Sequence, residues 1–260
     1  MISMIALPVA GFLIGLFIIT LGGGGGAVYV GILTVFFHTP PAIAASTSLA
    51  TMIPTTAVGA FSHWKAGNAN IRLGWYLLGF GILGAVVGSI FSGVLPQSVY
   101  DKISGLAIVG ISVQMLVQLL HRKRRPLSAT PYTSVMPRRF WRIIAAGTYG
   151  VFGGVLSGLI GISGSAAIVG GLSVVGCDVT EIAGTSVLVL LGIAITGFLM
   201  HLHLGTIDWS IVSLFLPGTV VGAFVGPVLL RRISTNGREN VLRPLFVVLM
   251  IGTGMALTFK

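Results

Sequence analysis

The fold is decided by the stretch LIGLFIITLGGGGGAVYVGILTVFF at residues 13–37, in which five glycines, 22–26, separate two strongly apolar segments. A glycine run normally makes a flexible surface linker. Here both flanks are as apolar as any other part of the chain. Non-helical backbone is tolerated at membrane depth only where it is buried in protein or lines a cavity. The stretch therefore predicts a helix that is broken inside a membrane.

The composition places the whole chain in a membrane. It is 55% hydrophobic and 8% charged, with a mean hydropathy of +1.03, whereas soluble domains carry about 25% charged residues. Apolar runs of roughly 18 or more residues indicate spanning helices. We therefore expect an all-α, polytopic integral membrane protein. The runs lie at about 4–21, 42–62, 73–95, 103–120, 141–160, 182–202, 209–230 and 241–258, and two shorter ones at 26–37 and 164–176.

The net charge of +10 comes from basic residues in loops beside the apolar runs. This pattern excludes a nucleic-acid-binding face and instead follows the positive-inside rule, which places such loops in the cytoplasm. A single cysteine, Cys177, excludes an internal disulfide and a cysteine metal cage. The largest cluster lies between the two hydrophobic halves and comprises Arg122, Lys123, Arg124, Arg125, Arg138, Arg139 and Arg142.

The chain is an internal repeat, in which a single shift without gaps carries the first half onto the second. "ASTS" at 45–48 aligns with "AGTS" at 183–186, and His63 aligns with His201. We predict a first membrane repeat at 1–120, a basic cytoplasmic linker at 121–140 and a second membrane repeat at 141–260. Further aligned positions are Gly15 with Gly153, Gly23 with Gly161, Gly26 with Gly164, Gly59 with Gly197, and "GAVVG" at 84–88 with "GAFVG" at 222–226.

The charges also predict that the two repeats are inverted relative to each other. If each repeat crosses the membrane an odd number of times, the basic loops at 63–72, 121–140 and 231–240 all lie inside. The segment 201–208, which has no Lys or Arg, then lies outside. We expect about four to five hydrophobic segments in each repeat, as in many secondary transporters.

The glycine-rich stretches occupy the same place in both repeats and predict one broken or re-entrant helix in each. The half-helix after each break presents free N–H groups, which bind anions. Two inverted breaks near the midplane would then form one anion site. Close helix packing is the alternative role for the glycines. The predicted ligands at the breaks are Gly23, Gly24, Gly25 and Gly26 in the first repeat and Ser163, Gly164 and Ser165 in the second.

Hydroxyl and imidazole groups on otherwise apolar helices complete the candidate site. The pairs Thr47–Ser48 and Thr185–Ser186 recur in the two repeats and can donate to an anion without carrying charge. Their alternative role is to bond their own helix carbonyls. His63 and His201 could donate to the anion or carry a proton, or could lie at the membrane interface. Asp178 and Glu181 are expected to cap the second Thr-Ser helix, and a role in cation coupling is the alternative.

These features together resemble the TauE/SafE family of sulfite exporters and organosulfonate permeases. The shared pattern is a glycine-rich break, a Thr-Ser pair in the next spanning segment, a His…Gly…Asn/Asp segment and a "GA..G" helix, all repeated. The closest stretch is "GTSVLVLLGIAITGFLMHLHLGTIDW" at 184–209. The usual Val-Pro after the glycine signature is missing here, and Ser163 and Ser165 replace glycines in the second break.

The resemblance implies a multi-pass transporter in a prokaryotic plasma membrane that moves a small sulfur-containing anion by alternating access. It implies no catalytic residue, cofactor or metal site. Proton or sodium coupling and a homo-oligomer are compatible with it. Two other functions are compatible with the residues themselves. "GISG" at 161–164 matches the G-x-S-G pattern of rhomboid intramembrane proteases, with Ser163 as nucleophile and His201 or His203 as base. An ion channel or metal permease is the third possibility.

Overall fold

A computed structural model describes residues 2–21, 26–122, 139–204, 207–234 and 239–259, and every regular element in these ranges is an α-helix. The helices are α1 (Ile2–Leu21), α2 (Gly26–Val35), α3 (Pro41–Lys65), α4 (Ile71–Val94), α5 (Gln97–Arg122), α6 (Arg139–Ile160), α7 (Ser165–Val175), α8 (Val179–His203), α9 (Trp209–Ser234) and α10 (Glu239–Thr258). Each of the eight predicted spans coincides with one long helix, which confirms the all-α, polytopic architecture.

The two short apolar stretches form the two short helices, α2 with 10 residues and α7 with 11. At 1.5 Å per residue these helices are about 15–17 Å long, roughly half of a hydrocarbon core. They cannot span on their own. In the part of the chain whose side chains are described, three stretches are long and apolar enough to cross a membrane: Ile71–Val94, Trp141–Ile160 and Thr180–His203.

The repeat seen in the sequence is also a repeat in structure. The shift that carries residue 45 onto residue 183 carries the bounds of α3 onto 179–203, which are the bounds of α8. The same shift carries 71–94 of α4 onto 209–232, against 209–234 for α9. The described helices therefore fall into two sets of five in the same order. Pro40 and Pro41, which start α3, have no counterpart before α8, where Asp178 is the N-cap.

The two repeats run in opposite directions, as the charge pattern predicts. Along the contact between α3 and its counterpart α8, Gly59 lies against Val187 and Leu49 lies against Gly197. Residue numbers rise along one helix and fall along the other, so the two counterparts are antiparallel. Helices α5 and α10 give the same result, because Gly105 contacts Thr258 while Val109 contacts Gly254.

Glycines let helices from different repeats approach closely. Gly154 and Gly158 of α6 lie against the carbonyls of Gly81 and Ala85 in α4, where any Cβ would clash. The counterpart pair α1–α9 is built in the same way, with Gly15 against Thr219. In lipid there is no hydrophobic driving force between helices, so the close van der Waals packing that small residues permit stabilises such contacts instead. The repeats are therefore interlocked rather than lying side by side.

Helix α7 folds back along α6 through a turn at 161–164. Gly164 lies against Gly153, and Gly171 lies against the side chain of Tyr149, so the two helices are antiparallel. Gly161 and Gly164 have φ angles of 68° and 54°, and these left-handed conformations favour glycine. The predicted re-entrant hairpin is thereby confirmed for the second repeat. In the first repeat residues 22–25 lie outside the described residues, and α2 begins at Gly26.

The predicted linker at 121–140 also falls largely outside the described residues, since 123–138 are not among them. Its cytoplasmic location and the exact domain boundaries stay predictions. On either side of the residues that are not described, α5 ends at Arg122 and α6 begins at Arg139.

Candidate functional site at the helix break

The turn between α6 and α7 lies at the contact between the two repeats. A Cβ on Gly161 would be 2.5 Å from the Cα of Ala45 in α3, and a Cβ on Gly26 would be 2.5 Å from the amide nitrogen of Ser163. The start of α2 is thus in direct contact with the turn. Gly26, the described end of the first break, therefore lies against the second break. Gly23, Gly24 and Gly25 lie outside the described residues.

Ser48 ties the two breaks together. Its hydroxyl donates to the carbonyl of Gly161 at 2.9 Å, and the carbonyl of Gly26 lies at 3.4 Å. The two acceptors belong to break segments of different repeats. The sequence predicts that this hydroxyl donates either to an anion or to a carbonyl of its own helix. In the structure it instead contacts backbone carbonyls of both break segments.

The carbonyl groups around the turn are occupied by donors from the protein. The end of an α-helix leaves its last carbonyls without intrahelical partners. At the end of α6, Gly158 accepts from Nε2 of His201 at 2.9 Å and from Ser89 at 3.3 Å. Leu159 accepts from the hydroxyl of Tyr100 at 2.5 Å. With the Ser48 bond to Gly161, side chains engage the carbonyls at 158, 159 and 161.

By contrast, several amide groups of the same turn have no acceptor among the described residues. The amides of Gly161 and Gly164 donate to Ser157 and Ile162. Within the described part of the chain, the amides of Ile162, Ser163, Ser165 and Ala166 have no acceptor. Ile162 and Ser163 are only 1% and 2% exposed. Buried donors of this kind cost free energy unless a partner satisfies them, so the turn presents unused donors at the N-terminus of α7.

Thr47 adds an unused hydroxyl on the neighbouring helix. Its side chain is fully buried, and its Oγ1 has no hydrogen-bond partner in the described structure. The repeat-equivalent Thr185 differs, because its Oγ1 accepts from the amide of Asn70 at 2.9 Å. Asn70 also donates through Nδ2 to Glu181 at 2.6 Å. Ser186 bonds Ala183 of its own helix, which is the alternative considered for these hydroxyls.

The structure separates the predicted site residues into two groups. Since α3 and α8 are antiparallel, Thr185 lies level with the residues near 61 of α3, whereas Ser48 lies near the other end. The separation along the helix axis is roughly 20 Å at the rise of an α-helix. The two Thr-Ser pairs therefore do not converge on one point. The group at the described break comprises Gly26, Thr47, Ser48, Ser163, Gly164, Ser165 and His201, and the group at the opposite end comprises His63, Thr185 and Ser186.

The two histidines occupy different environments. His201 is fully buried and contacts Gly158 at the end of α6. Because a carbonyl oxygen only accepts, Nε2 of His201 carries the proton in this contact. His63 is half-buried in the last turn of α3, and its backbone carbonyl accepts from the amide of Asn68. His201 thus holds the break, while His63 lies beside the loop that leads to α4.

The start of α8 is stabilised by acidic groups outside the spanning segment. Asp178 is the N-cap and accepts from the amide of Glu181 at 2.7 Å and the hydroxyl of Thr180 at 2.8 Å. These bonds lower the pKa of Asp178 below its usual value. The predicted capping role of Asp178 is confirmed.

Burial and the nearby Glu181 carboxyl raise the pKa of the Cys177 thiol to about 12.

Sequence reasoning missed three residues: Ser89 and Tyr100 at the break, and Asn70 beside Thr185 at the opposite end of the α3–α8 pair. Tyr100 and Ser89 have no repeated partner of the same type, since their repeat-equivalent positions are Arg238 and Pro227. The repeat therefore carries no signal for them. Asn70 does align with Asp208, and both cap the following helix, so the repeated His…Gly…Asn/Asp segment contained the signal for Asn70.

Comparison with known proteins gives a consistent result. A family model described as "Sulfite exporter TauE/SafE" matches residues 7–257. A probable membrane transporter protein of Bacillus subtilis (strain 168), YdhB, is 29% identical over 216 residues, which cover 83% of this chain and 85% of the relative. A second B. subtilis protein of the same description, YjnA, is 24% identical over 91% of this chain and 95% of its own length. A probable membrane transporter protein of Haemophilus influenzae is 29% identical over 71% of this chain and 67% of its own. No solved structure matches significantly.

Proposed function

This chain belongs to the TauE/SafE sulfite exporter family, and on that premise we propose that it is a secondary transporter for small sulfur-containing oxyanions such as sulfite or organosulfonates. The family and the relatives' names make it a multi-pass membrane transporter. The nature of the substrate, its binding place and the prokaryotic plasma membrane as its location are the proposed part.

The observation that carries the proposal is the imbalance between donors and acceptors at the α6–α7 turn. Among the described residues, its amides at 162, 163, 165 and 166 have no acceptor, whereas the carbonyls at 158, 159 and 161 accept from side chains. A bound cation would need the carbonyls, and a bound anion needs the amides. The imbalance favours an anion. As a further donor we propose the buried hydroxyl of Thr47, the residue before Ser48 in α3, which has no partner among the described residues.

Sulfur oxyanions fit a site of this kind because their several acceptor oxygens can take amide and hydroxyl donors from different directions. Among the described residues, the hydrogen-bond partners of the turn include no Lys or Arg side chain. Binding through neutral donors is weaker than binding through an Arg fork, and weak binding suits a carrier that must release its substrate.

The inverted repeat suggests how access alternates. The group at the described break and the repeat-equivalent group with Thr185, Ser186 and His63 lie toward opposite ends of the α3–α8 pair. In the proposed cycle, the anion is held where the two breaks meet, and rocking of the interlocked repeats opens this place first to one side of the membrane and then to the other. Coupling to protons or sodium and a homo-oligomeric state are compatible with this cycle.

A thermal-shift screen of the purified protein tests the substrate class. Ligands that bind the native state raise the melting temperature by mass action. We expect sulfite or an organosulfonate such as sulfoacetate to raise it more than chloride at equal ionic strength. Uptake or efflux of the same anion in proteoliposomes then tests transport. Equal shifts for all anions would contradict the proposal, and fluorophosphonate labelling of Ser163 would favour the protease.

A further inference from the structure

Four helices outside the α6–α7 hairpin donate side-chain hydrogen bonds to the carbonyl end of α6. We call the donors the carbonyl collar: Ser48 of α3, Ser89 of α4, Tyr100 of α5 and His201 of α8. Their acceptors are Gly158, Leu159 and Gly161. Helices α3, α4 and α5 of the first repeat thus act on a helix end of the second.

All four collar side chains are buried, with exposed fractions of 0–2%. A carbonyl that lost its donor there would stay buried with its negative end uncompensated, because bulk water does not reach it. The C-terminus of α6 also carries the partial negative charge of the helix dipole. Without the collar, this charge would lie directly beside the unused amides of the turn.

We propose that the carbonyl collar sets the charge preference of the break, by keeping the negative end of α6 occupied so that only donors face the substrate. This inference rests on the proposed anion site. The collar residues are positioning residues that act through the carbonyls of α6. It also gives Ser48 and His201 a different role from the direct substrate contacts expected from sequence.

Tyr100 is the collar member best suited to a test. Its hydroxyl donates to Leu159 at 2.5 Å and faces Ser92, whose hydroxyl donates to it at 3.5 Å. Tyr100→Phe removes one oxygen atom and keeps the ring that fills the core. The freed carbonyl then repels an anion in the turn, and Coulomb repulsion grows with the charge of that anion.

The experiment compares two anions of different charge. Dissociation constants are measured by calorimetry for sulfite at alkaline pH, where it is a dianion, and for methanesulfonate, a monoanion. We expect Tyr100→Phe to weaken sulfite binding about tenfold and methanesulfonate binding by no more than about threefold. Tyr149→Phe is the matched control, since the ring of Tyr149 packs against Gly170 and Gly171 of α7 away from the collar.

The outcomes distinguish a failure of the collar proposal from a failure of the proposed function. If the unaltered protein binds sulfite and Tyr100→Phe binds both anions as tightly as Tyr149→Phe does, the collar proposal is wrong and the proposed function stands. An equal loss for both anions assigns Tyr100 a packing role and also overturns the collar. If the unaltered protein binds neither anion, the proposed function fails and the collar fails with it. Should Tyr100→Phe not fold, Ser48→Ala, which removes the side-chain donor to the carbonyl of Gly161, replaces it under the same criteria.

Discussion

The hydroxyl of Ser48 in the first repeat donates to the carbonyl of Gly161 in the second at 2.9 Å, across 113 residues of sequence. Gly161 begins the turn that reverses the chain between α6 and α7, and Ser48 lies in the first third of α3. The bond therefore fixes one repeat's break against the other repeat's helix. It is a contact that any rocking of the repeats must keep or break.

Ser48→Ala tests the importance of this bond. The change leaves the Gly161 carbonyl buried with one donor fewer, and we expect a loss of about 1–3 kcal/mol in stability together with weaker sulfite binding. Thr56→Val is the control, since the Thr56 hydroxyl bonds only Met52 and Ile53 of its own helix. Melting temperature and sulfite affinity are measured for both variants. Identical behaviour of the two would show that the contact is incidental.

The repeat-equivalent threonines should respond differently to the same substitution. Thr185→Val leaves the amide of Asn70 without its acceptor, so we expect a loss of stability of about 1–3 kcal/mol. Thr47→Val removes a buried hydroxyl that has no partner in the described structure, so the melting temperature should stay equal or rise. If Thr47 contacts substrate, sulfite affinity falls all the same.

Thermal unfolding and sulfite binding of both variants separate these effects. Equal losses of stability in Thr47→Val and Thr185→Val would contradict the asymmetry between the two repeats. Unchanged sulfite affinity in Thr47→Val would remove Thr47 from the site.

The helices and the inverted repeat could be predicted from sequence because both depend on local or repeated signals. Apolar runs of spanning length predict the long helices, and the shift that aligns the two Thr-Ser pairs also aligns α3 with α8. The basic loops predict the relative direction of the repeats. The break at 161–164 was visible because glycine in an apolar segment conflicts with a continuous helix.

The arrangement of the site could not be predicted in the same way. The repeated Thr-Ser pairs suggest one shared site, but an antiparallel pair of equivalent helices places equivalent residues at opposite ends. The contacts Gly59–Val187 and Leu49–Gly197, which the sequence does not reveal, fix the axial register that separates Thr185 from Ser48. Tyr100 and Ser89 were missed because their roles depend on contacts with α6 that have no sequence period.

Cys177 should react slowly with thiol reagents in the folded protein. The thiolate is the reactive form, and burial together with Glu181 raises the pKa of the thiol to about 12. Its thiolate fraction therefore stays very small at neutral pH and rises only as the pH approaches that value. We expect maleimide labelling to be slow in detergent and fast after denaturation. Fast labelling at neutral pH in the native state would contradict the buried environment.

The slow reaction of Cys177 makes the natural chain a suitable background for mapping topology. Ala66 and Leu204 are both exposed, the first between α3 and α4 and the second after α8. We expect Leu204→Cys to react with a membrane-impermeant reagent in intact cells and Ala66→Cys to react only after permeabilisation. The reverse pattern would invert the orientation, and labelling of both in intact cells would refute the positive-inside assignment of the 63–72 loop.

Glycine should be required at the contact between the two breaks. A methyl group on Gly26 would lie 2.5 Å from the amide nitrogen of Ser163 and 2.6 Å from the carbonyl oxygen of Gly161, and neither backbone atom can move aside cheaply. Gly161→Ala adds the cost of a left-handed conformation at φ 68°, roughly 1–2 kcal/mol. We therefore expect both variants to lower the melting temperature and to abolish sulfite transport.

Gly79→Ala is the matched control, because a Cβ there meets nothing within 4 Å and the residue lies inside α4. It should leave transport intact and leave stability equal or slightly higher, since alanine favours the helix over glycine by about 1 kcal/mol. Proteoliposome transport and thermal unfolding are measured on all three variants. A flexible linker would tolerate alanine at Gly26 as well as α4 tolerates it at Gly79, so full transport by Gly26→Ala would show that the two breaks need not touch for the anion to pass.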